Sequence, residues 1–226
     1  MAAAADPAKA AGMQAYMKST MPYFGLNLPG VRLVSHHVFA DVEMRCEEWR
    51  GTLLELWRGA RHREERYAAM YLLTMKRHRD CVTPRLMPVL EEMVVTGGWW
   101  DHVDELAMVI GELLQKHPKK MRPLMRKWST DPNLWKRRVS IICQLKFKHE
   151  TDLDLLYSNI EPSLADRDFF IRKAIGWALR QYAWTDPTEV GRYVRANEAR
   201  LSGLSRREAL KNISFPRNGA GSGRGM

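Results

Sequence analysis

The 226-residue sequence is poor in cysteine and has no long apolar run, and both absences narrow the classes of protein open to it. The three cysteines, Cys46, Cys81 and Cys143, are scattered without a CxxC pair. This predicts neither a disulfide scaffold nor a zinc site, and a reducing compartment is the default. No segment approaches the roughly 20 apolar residues that span a bilayer, and the opening residues lack the basic-then-apolar order of a secretory signal. We therefore expect a cytoplasmic protein, nucleoid-associated in a prokaryote, with no membrane partner.

Motifs for metals and nucleotides are also missing. The seven histidines form no HxxxH pattern and no cluster with cysteine, and only His36 and His37 are adjacent. Neighbouring residues on a helix point about 100° apart, so this pair does not converge on one ion. No phosphate-binding glycine loop is present. We expect neither a metal nor a cofactor.

Positive charge is abundant. The formal net charge is +10, while the charged and hydrophobic fractions, 27% and 45%, are ordinary for a globular protein. Such an excess favours a polyanionic partner, with nucleic acid ahead of an anionic membrane.

Helical periodicity dominates the chain, and the alternation typical of strands is scarce. Turn residues recur at regular intervals and leave segments of 10 to 17 residues, which predicts roughly ten to twelve helices and no sheet. Similar segments begin at residues 66, 102, 138 and 173, a spacing typical of stacked helical pairs in an α-solenoid. We expect a partly flexible Ala-rich lead over residues 1–15, a single repeat domain over 16–213 and a disordered tail over 214–226.

One predicted helix, residues 99–115, carries side chains off its apolar stripe. The stripe consists of Trp99, Val103, Leu106, Ile110, Leu113 and Leu114. Trp100 and Asp104 are four residues apart and share a face roughly 100° away from the stripe, and Ala107 and Gly111 continue that face. The small residues predict a surface that a ligand can approach closely. The alternative is that Trp100 caps a neighbouring repeat and Asp104 is a solvated charge.

A second helix, residues 169–182, repeats this arrangement. Trp177 lies off the stripe, beside Phe170, Lys173 and Arg180. Aromatic rings among cations suit a nucleic-acid groove, in which cations pair with phosphates and rings pack on sugar and base. An inter-repeat aromatic contact with solvated cations at its rim is the alternative.

The predicted helix of residues 135–148 has a charge on its apolar side. Arg138 falls with Ile142 and Leu145, away from the polar residues Arg137, Gln144 and Lys148. A guanidinium in that position needs an anion. An internal carboxylate and a DNA phosphate both remain open.

Several long motifs, in order, resemble the AlkD-type DNA alkylation repair proteins. TGGWWDHVD at residues 96–104 resembles the TxxWWDxVD signature of that family, and FFIRKAIGWALRQY at 169–182 resembles its FFIxKAIGWxLRxY segment. Leu134 and Trp135 with Arg138, followed by residues 144–148, match a third block, and residues 204–209 match a C-terminal one. The likeness runs from Tyr16 to Ile213.

The resemblance implies a fold and an activity. It implies HEAT-like helical repeats in a curved α-solenoid with a basic concave face, acting on double-stranded DNA. It also implies an alkylpurine DNA glycosylase of base excision repair, which releases cationic purines such as 3-methyladenine or 7-methylguanine without flipping the base. We expect a monomer.

The resemblance also assigns residues. The catalytic carboxylate falls on Asp104, the paired tryptophans on Trp100 and Trp177, and the backbone-contacting arginine on Arg138. Further expected DNA contacts are Tyr16 at the edge of the site, Arg32 on a phosphate, Asn27 where the family has glutamine, and Phe170, Lys173, Arg180 and Lys148.

The expected chemistry needs only one critical carboxylate. An alkylated purine is already cationic and leaves without being protonated, so the barrier is formation of an oxocarbenium-like sugar. A nearby carboxylate stabilises that charge and positions water, and two indole faces flanking the deoxyribose add cation–π stabilisation.

Three alternatives stay open. A non-catalytic scaffold suits the fold and the charge but leaves Trp100, Asp104 and Trp177 unexplained. A structural binder of distorted DNA would have no need of Asp104. Specialisation for bulky adducts, as in self-resistance to alkylating natural products, suits an open site without base flipping.

Overall fold

Helices account for all the regular secondary structure in residues 1–213, the part of the chain that the computed structural model describes. Five short 3-10 helices, at Ala2–Ala4, Lys76–Cys81, Pro84–Leu86, Lys148–Glu150 and Glu161–Ser163, accompany twelve α-helices in this range. The α-helices are α1 (Pro7–Met17), α2 (Leu28–Phe39), α3 (Cys46–Gly59), α4 (Arg63–Thr74), α5 (Met87–Gly97), α6 (Trp100–Lys116), α7 (Pro118–Ser129), α8 (Leu134–Ile142), α9 (Leu153–Ile160), α10 (Phe169–Ala183), α11 (Pro187–Ala196) and α12 (Gly203–Leu210). The all-helical prediction is confirmed.

The chain divides into two compact units, residues 1–125 and the part from Arg126 onward. The single domain predicted over residues 16–213 includes parts of both units, and it stays a prediction, as do the curvature and the basic concave face. The predicted tail, residues 214–226, lies outside the described residues.

Side-chain caps explain where many helices begin. Asn27, Asn133, Asp152, Asp168, Asp186 and Ser202 each accept a hydrogen bond from a backbone N–H in the first turn of the following helix. These N–H groups have no partner within the helix, so a capping oxygen stabilises each start by about 1 kcal/mol.

The bounds predicted for the two helices that carry Trp100, Asp104 and Trp177, residues 99–115 and 169–182, differ by at most one residue from the observed bounds, 100–116 and 169–183.

The helix predicted over residues 135–148 was wrong at its C-terminal end, since α8 stops at Ile142. The Gln144 side chain clamps the backbone of Asp152, accepting from its N–H at 2.8 Å and donating to its carbonyl at 3.1 Å. Lys148 has a left-handed backbone with φ of 54°. The two hydrogen bonds between Gln144 and Asp152 hold the turn that leads to α9. The apolar pattern does not predict this turn.

The first unit packs around tryptophans of α3. Trp49 and Trp57 are at most 1% exposed. Each indole N–H is satisfied, that of Trp49 by the Leu72 carbonyl at 3.2 Å and that of Trp57 by the Thr96 hydroxyl at 2.8 Å. These bonds tie α3 to α4 and to the end of α5, next to the start of α6.

The scattered cysteines predicted no disulfide scaffold, but the structure contains a disulfide. Cys46 and Cys81 form one, with their Cα atoms 5.1 Å apart, while Cys143 is free and buried. The two residues are 35 positions apart in sequence, and they meet because the 3-10 helix of residues 76–81 packs against α3. The spacing of the cysteines in the sequence does not predict that packing.

A buried carboxylate ties down the segment between α1 and α2. Glu64 is fully buried and accepts backbone N–H bonds from Phe24, Gly25 and Leu26 at 2.9 to 3.0 Å. Gly25 has φ of +90°, and a Cβ there would lie 2.0 Å from the carbonyl oxygen of Asp6. Only glycine therefore lets the N-terminal lead approach this loop. The predicted partial flexibility of the lead stays a prediction.

In the second unit, α10 packs closely against α12. A Cβ at Gly176 would lie 2.5 Å from the Cβ of Glu208 and 3.0 Å from the Ser205 carbonyl oxygen. The buried Ser205 hydroxyl donates to the Arg172 carbonyl at 2.9 Å. Gly176 thus sets the distance between the two helices.

Candidate functional site

The first part of the candidate site lies on α6. Gly97 and Gly98 end α5, the extended Trp99 precedes the new helix, and α6 starts at Trp100. Trp100 is 38% exposed and Asp104 is partly exposed, whereas Val103, Leu106 and Ile110 are fully buried. The prediction that Trp100 and Asp104 lie off the buried face of α6 is confirmed.

The open surface predicted around the small residues of α6 was wrong. Ala107 is fully buried and Gly111 is also buried. Helix α6 packs against both α4 and α5, so its buried arc is wider than the apolar stripe. The small side chains serve helix packing rather than ligand access.

At Asp101, which follows Trp100 in the sequence, a buried ion pair joins α6 to α4. The guanidinium of Arg63, 5% exposed, donates to both Asp101 carboxylate oxygens at 3.1 and 2.5 Å. The Tyr67 hydroxyl donates to the same carboxylate at 2.5 Å and lies 3.2 Å from the hydroxyl of Tyr23. Burial raises the pKa of the Asp101 carboxyl, but His102, Arg63 and Tyr67 together bring it below its usual value. This cluster holds the first turn of α6 in place.

His102 is the other buried polar residue in that turn. Its Nδ1 donates to the Gly97 carbonyl at 3.1 Å, and its ring packs between Trp57 and Tyr67 at centroid distances of 5.2 and 5.3 Å. Burial lowers the pKa of His102 to about 4, so the ring is neutral at pH 7. His102 therefore braces the Gly97–Gly98 turn without adding charge near Asp104.

These supporting residues were missed by sequence reasoning. Asp101 and His102 stand inside the matched motif, but no pattern pairs Asp101 with Arg63, 38 residues earlier. The spacing of Arg63 and Tyr67, four apart on α4, was the available signal that two polar groups share a face. What they face became visible only in the structure.

The N-terminal candidates are all exposed. Tyr16, near the end of α1, is 79% exposed, and Arg32 lies on the outer surface of α2. Asn27 caps α2, its side-chain oxygen accepting from the Gly30 N–H at 2.9 Å. This cap gives a structural reason for asparagine at that position, and the DNA contacts of all three residues stay predictions.

The second unit holds Arg138 inside the protein. Arg138, on α8, is 4% exposed and donates to the Phe170 carbonyl at 2.6 Å. The Phe170 ring packs against Trp135 and Phe169, with centroids 5.1 and 5.5 Å apart. The Phe170 carbonyl is an internal acceptor that satisfies part of the hydrogen-bonding capacity of the Arg138 guanidinium. Contact of Arg138 with a DNA phosphate stays a prediction.

Lys173 and Arg180 share an internal carboxylate partner, and their contacts with DNA, like those of Phe170, Trp177 and Lys148, stay predictions. Each donates to a carboxylate oxygen of Glu208 at 2.6 Å, which joins α10 to α12. The hydrogen bond from Lys173 and the charges of both cations hold the pKa of Glu208 below its usual value. Trp177 lies on the same face of α10, partly exposed, and Lys148 is exposed at the start of its 3-10 helix. Lys173 and Arg180 carry two positive charges and Glu208 one negative charge, so this cluster has a net charge of one positive unit.

The described part of the chain, residues 1–213, contains no group of three or more His, Cys, Asp or Glu side chains able to hold a metal ion. None of its helices has both the length and the apolar character needed to cross a bilayer.

Comparison with known proteins places the chain in a family. It is similar to a solved structure described as a predicted DNA alkylation repair enzyme from Enterococcus faecalis, with 28% identity, a TM-score of 0.84 and coverage of 94% of this chain and 98% of that one. AlkD2 from Streptococcus mutans shares the fold, with 15% identity, a TM-score of 0.62 and coverage of 91% and 97%. So does the smu.31 protein from Streptococcus mutans UA159, with 16% identity, a TM-score of 0.61 and coverage of 83% and 93%.

At the sequence level, no curated protein is significantly similar to the chain. A family model described as DNA alkylation repair enzyme, however, matches residues 1–213, which is most of its length. The protein therefore belongs to the DNA alkylation repair enzyme family.

Proposed function

We propose that this protein is a DNA glycosylase that hydrolyses the N-glycosidic bond of cationic N-alkylated purines in duplex DNA. Its substrates are 3-methyladenine, 7-methylguanine or bulkier adducts. The observation that carries the proposal is the partly exposed pair of Trp100 and Asp104, one turn apart on α6 and outside its buried face. The family membership supports a role on alkylated DNA.

Asp104 acts on the sugar in this proposal. The bond between C1′ and the purine nitrogen breaks, both electrons leave with the cationic base, and the sugar gains positive charge. The Asp104 carboxylate stabilises that charge and orients the water whose oxygen bonds to C1′ and whose proton is released. Because the base leaves as a neutral molecule, no general acid is required.

The tryptophans complete the proposed chemistry. The face of the Trp100 indole attracts the developing cation, an interaction of about 0.5 to 2 kcal/mol. Trp177 is proposed as the second indole on the strength of the family resemblance. Recognition then rests on cationic charge and weakened pairing of the lesion, so the base is not flipped into a pocket.

The test is base release from methylated duplex DNA in the presence of a chelator. Wild-type protein should release free 7-methylguanine or 3-methyladenine. Asp104→Asn should lose activity by about 100-fold or more, while still binding DNA, because one preorganised charge is removed. Asp154→Asn, an exposed carboxylate at the start of α9, is the matched control and should be fully active.

Two results would contradict the proposal. Full activity of Asp104→Asn would remove Asp104 from the chemistry. Failure of wild-type protein to release any base, bulky adducts included, would favour a non-catalytic scaffold or a structural binder of distorted DNA.

A further inference from the structure

The disulfide between Cys46 and Cys81 lies at the surface of the first unit, beside a cleft. Cys46, at the start of α3, is exposed, and Cys81, at the end of its 3-10 helix, is half-buried. The cleft has a volume of about 340 Å³, and both cysteines line it. Binding sites for small molecules typically measure roughly 300 to 1,000 Å³. A small molecule in this cleft would therefore lie next to the disulfide.

Exposure distinguishes this disulfide from one that only holds a fold together. Exposed disulfides are among those that thiols reduce readily, whereas the structural disulfides of secreted proteins resist reduction. Small domains that depend on disulfides have too little apolar core. The first unit has a core of its own, in which Trp49, Leu53 and Trp57 are almost completely buried. A reversible bond fits these observations better than a purely structural one.

The lining of the cleft offers charges of both signs. It includes Glu47, Arg50, Asp80 and Arg85. In the described part of the chain, the side chains of Asp80 and Arg85 form no hydrogen bond or ion pair, and Arg50 is 3.8 Å from the Glu47 carboxylate. A small peptide thiol such as glutathione carries carboxylates for the arginines and an ammonium group for Asp80, whereas a simple alkanethiol carries neither. The lining therefore favours a peptide thiol.

We propose that Cys46 and Cys81 form a reversible redox site that exchanges with a small peptide thiol, and that Cys46 is the sulfur attacked. The peptide thiolate bonds to Sγ of Cys46, the bond between the two cysteines breaks, and its electron pair leaves on Sγ of Cys81, which takes a proton from water. A second peptide thiolate attacks the peptide sulfur of this mixed disulfide, and Cys46 leaves and is protonated. Two peptide thiols are oxidised to their disulfide, and the protein gains two thiols.

The loop that this disulfide closes contains supports of α6. Residues 46–81 include Arg63 and Tyr67, whose side chains bond to Asp101 in the first turn of α6. A covalently closed loop makes local opening of α3 and α4 more costly. Reduction should therefore increase opening at the start of α6, a consequence that does not depend on the proposed glycosylase activity.

The first experiment incubates folded, oxidised protein with reduced glutathione and follows thiols by mass spectrometry. Wild-type protein should gain two thiols, and glutathione disulfide should restore the bond. With glutathione disulfide, Cys81→Ser should be modified at Cys46, faster than Cys46→Ser is modified at Cys81, and the buried Cys143 should not react. A wild-type disulfide that resists glutathione until the protein unfolds would overturn the proposal, and so would faster reaction at Cys81.

The second experiment tests the class of thiol. Arg85→Gln should slow reduction by glutathione roughly twofold to fivefold and leave reduction by 2-mercaptoethanol unchanged, because one exposed ionic contact is removed. Arg61→Gln is the matched control, since Arg61 is also exposed and follows the opposite end of α3. It should leave both rates unchanged. Equal slowing of the two thiols by Arg85→Gln would overturn the assignment of a peptide thiol.

The third experiment measures amide hydrogen exchange of oxidised and reduced wild-type protein. The amides of residues 103–107, where the Val103 N–H already bonds to the Trp99 carbonyl, report on the start of α6. Their exchange should be at least about tenfold faster after reduction. Unchanged rates would overturn the link between the disulfide and α6.

Discussion

Individual buried polar residues explain how α6 holds Trp100 and Asp104. Arg63, Asp101 and Tyr67 satisfy one another, and breaking a buried ion pair of this kind by removing one partner costs about 3 to 5 kcal/mol. His102 adds a bond to the Gly97 carbonyl. Trp100 and Asp104 thus lie on a helix whose first turn is held by a buried ion pair and buried hydrogen bonds.

His102 makes the stability of the protein depend on pH. Its pKa falls from an ordinary 6.5 to about 4 on folding. The unfolded chain therefore binds the proton first, so this contribution is complete above about pH 6.5 and is lost as the pH falls towards 4. Through this group, the free energy of unfolding measured with urea should be roughly 2.5 kcal/mol larger at pH 7.5 than at pH 4.5. His102→Gln should reduce the difference.

The control is His149→Gln, which replaces an exposed histidine and should keep the wild-type pH dependence. Titration of the His102 ring by NMR provides a second measurement in the unaltered protein. A His102 pKa near 6.5 would contradict the prediction.

At the scale of elements, some helix ends are set by residues close in sequence and others by side chains several residues away. The apolar period of α6 and α10 and the Asp168 cap of α10 are local features, which is why these two helices were predicted closely. Helix α8 was predicted too long because Gln144 bonds to Asp152, eight residues on. Side-chain clamps of this kind compete with continued helix and leave no periodic signal.

Two glycine substitutions, one in the contact of α10 with α12 and one on α3, should change the free energy of unfolding in opposite directions. Gly176→Ala places a Cβ against Glu208 and Ser205 and should destabilise the protein by about 1 to 3 kcal/mol. Gly51→Ala, on α3, meets nothing within 4 Å and should stabilise it by about 0.4 to 1 kcal/mol. Thermal unfolding of both variants checks this, and equal shifts would show that α12 moves away at little cost.

At the scale of the whole molecule, the disulfide acts on the unfolded chain. Linking Cys46 to Cys81 closes a loop of 35 residues, which in the chain-entropy account stabilises the folded state by roughly 3 to 4 kcal/mol. Reductant should lower the Tm of wild-type protein and leave that of Cys46→Ala/Cys81→Ala unchanged. Without reductant, one thiol should titrate in denatured protein, that of Cys143, and three would contradict the bond.

The sequence by itself determined the helical class, the positions of α6 and α10, and the placement of Trp100 and Asp104 off the core, because the helical period fixes relative side-chain angles locally. Tertiary structure alone decided what those faces meet. Asp101 forms an ion pair with Arg63, 38 residues away. Glu208 accepts hydrogen bonds from Lys173 and Arg180. Ala107 is buried because a second helix packs against α6. Partners so distant in sequence depend on how helices pack, and no local pattern records that.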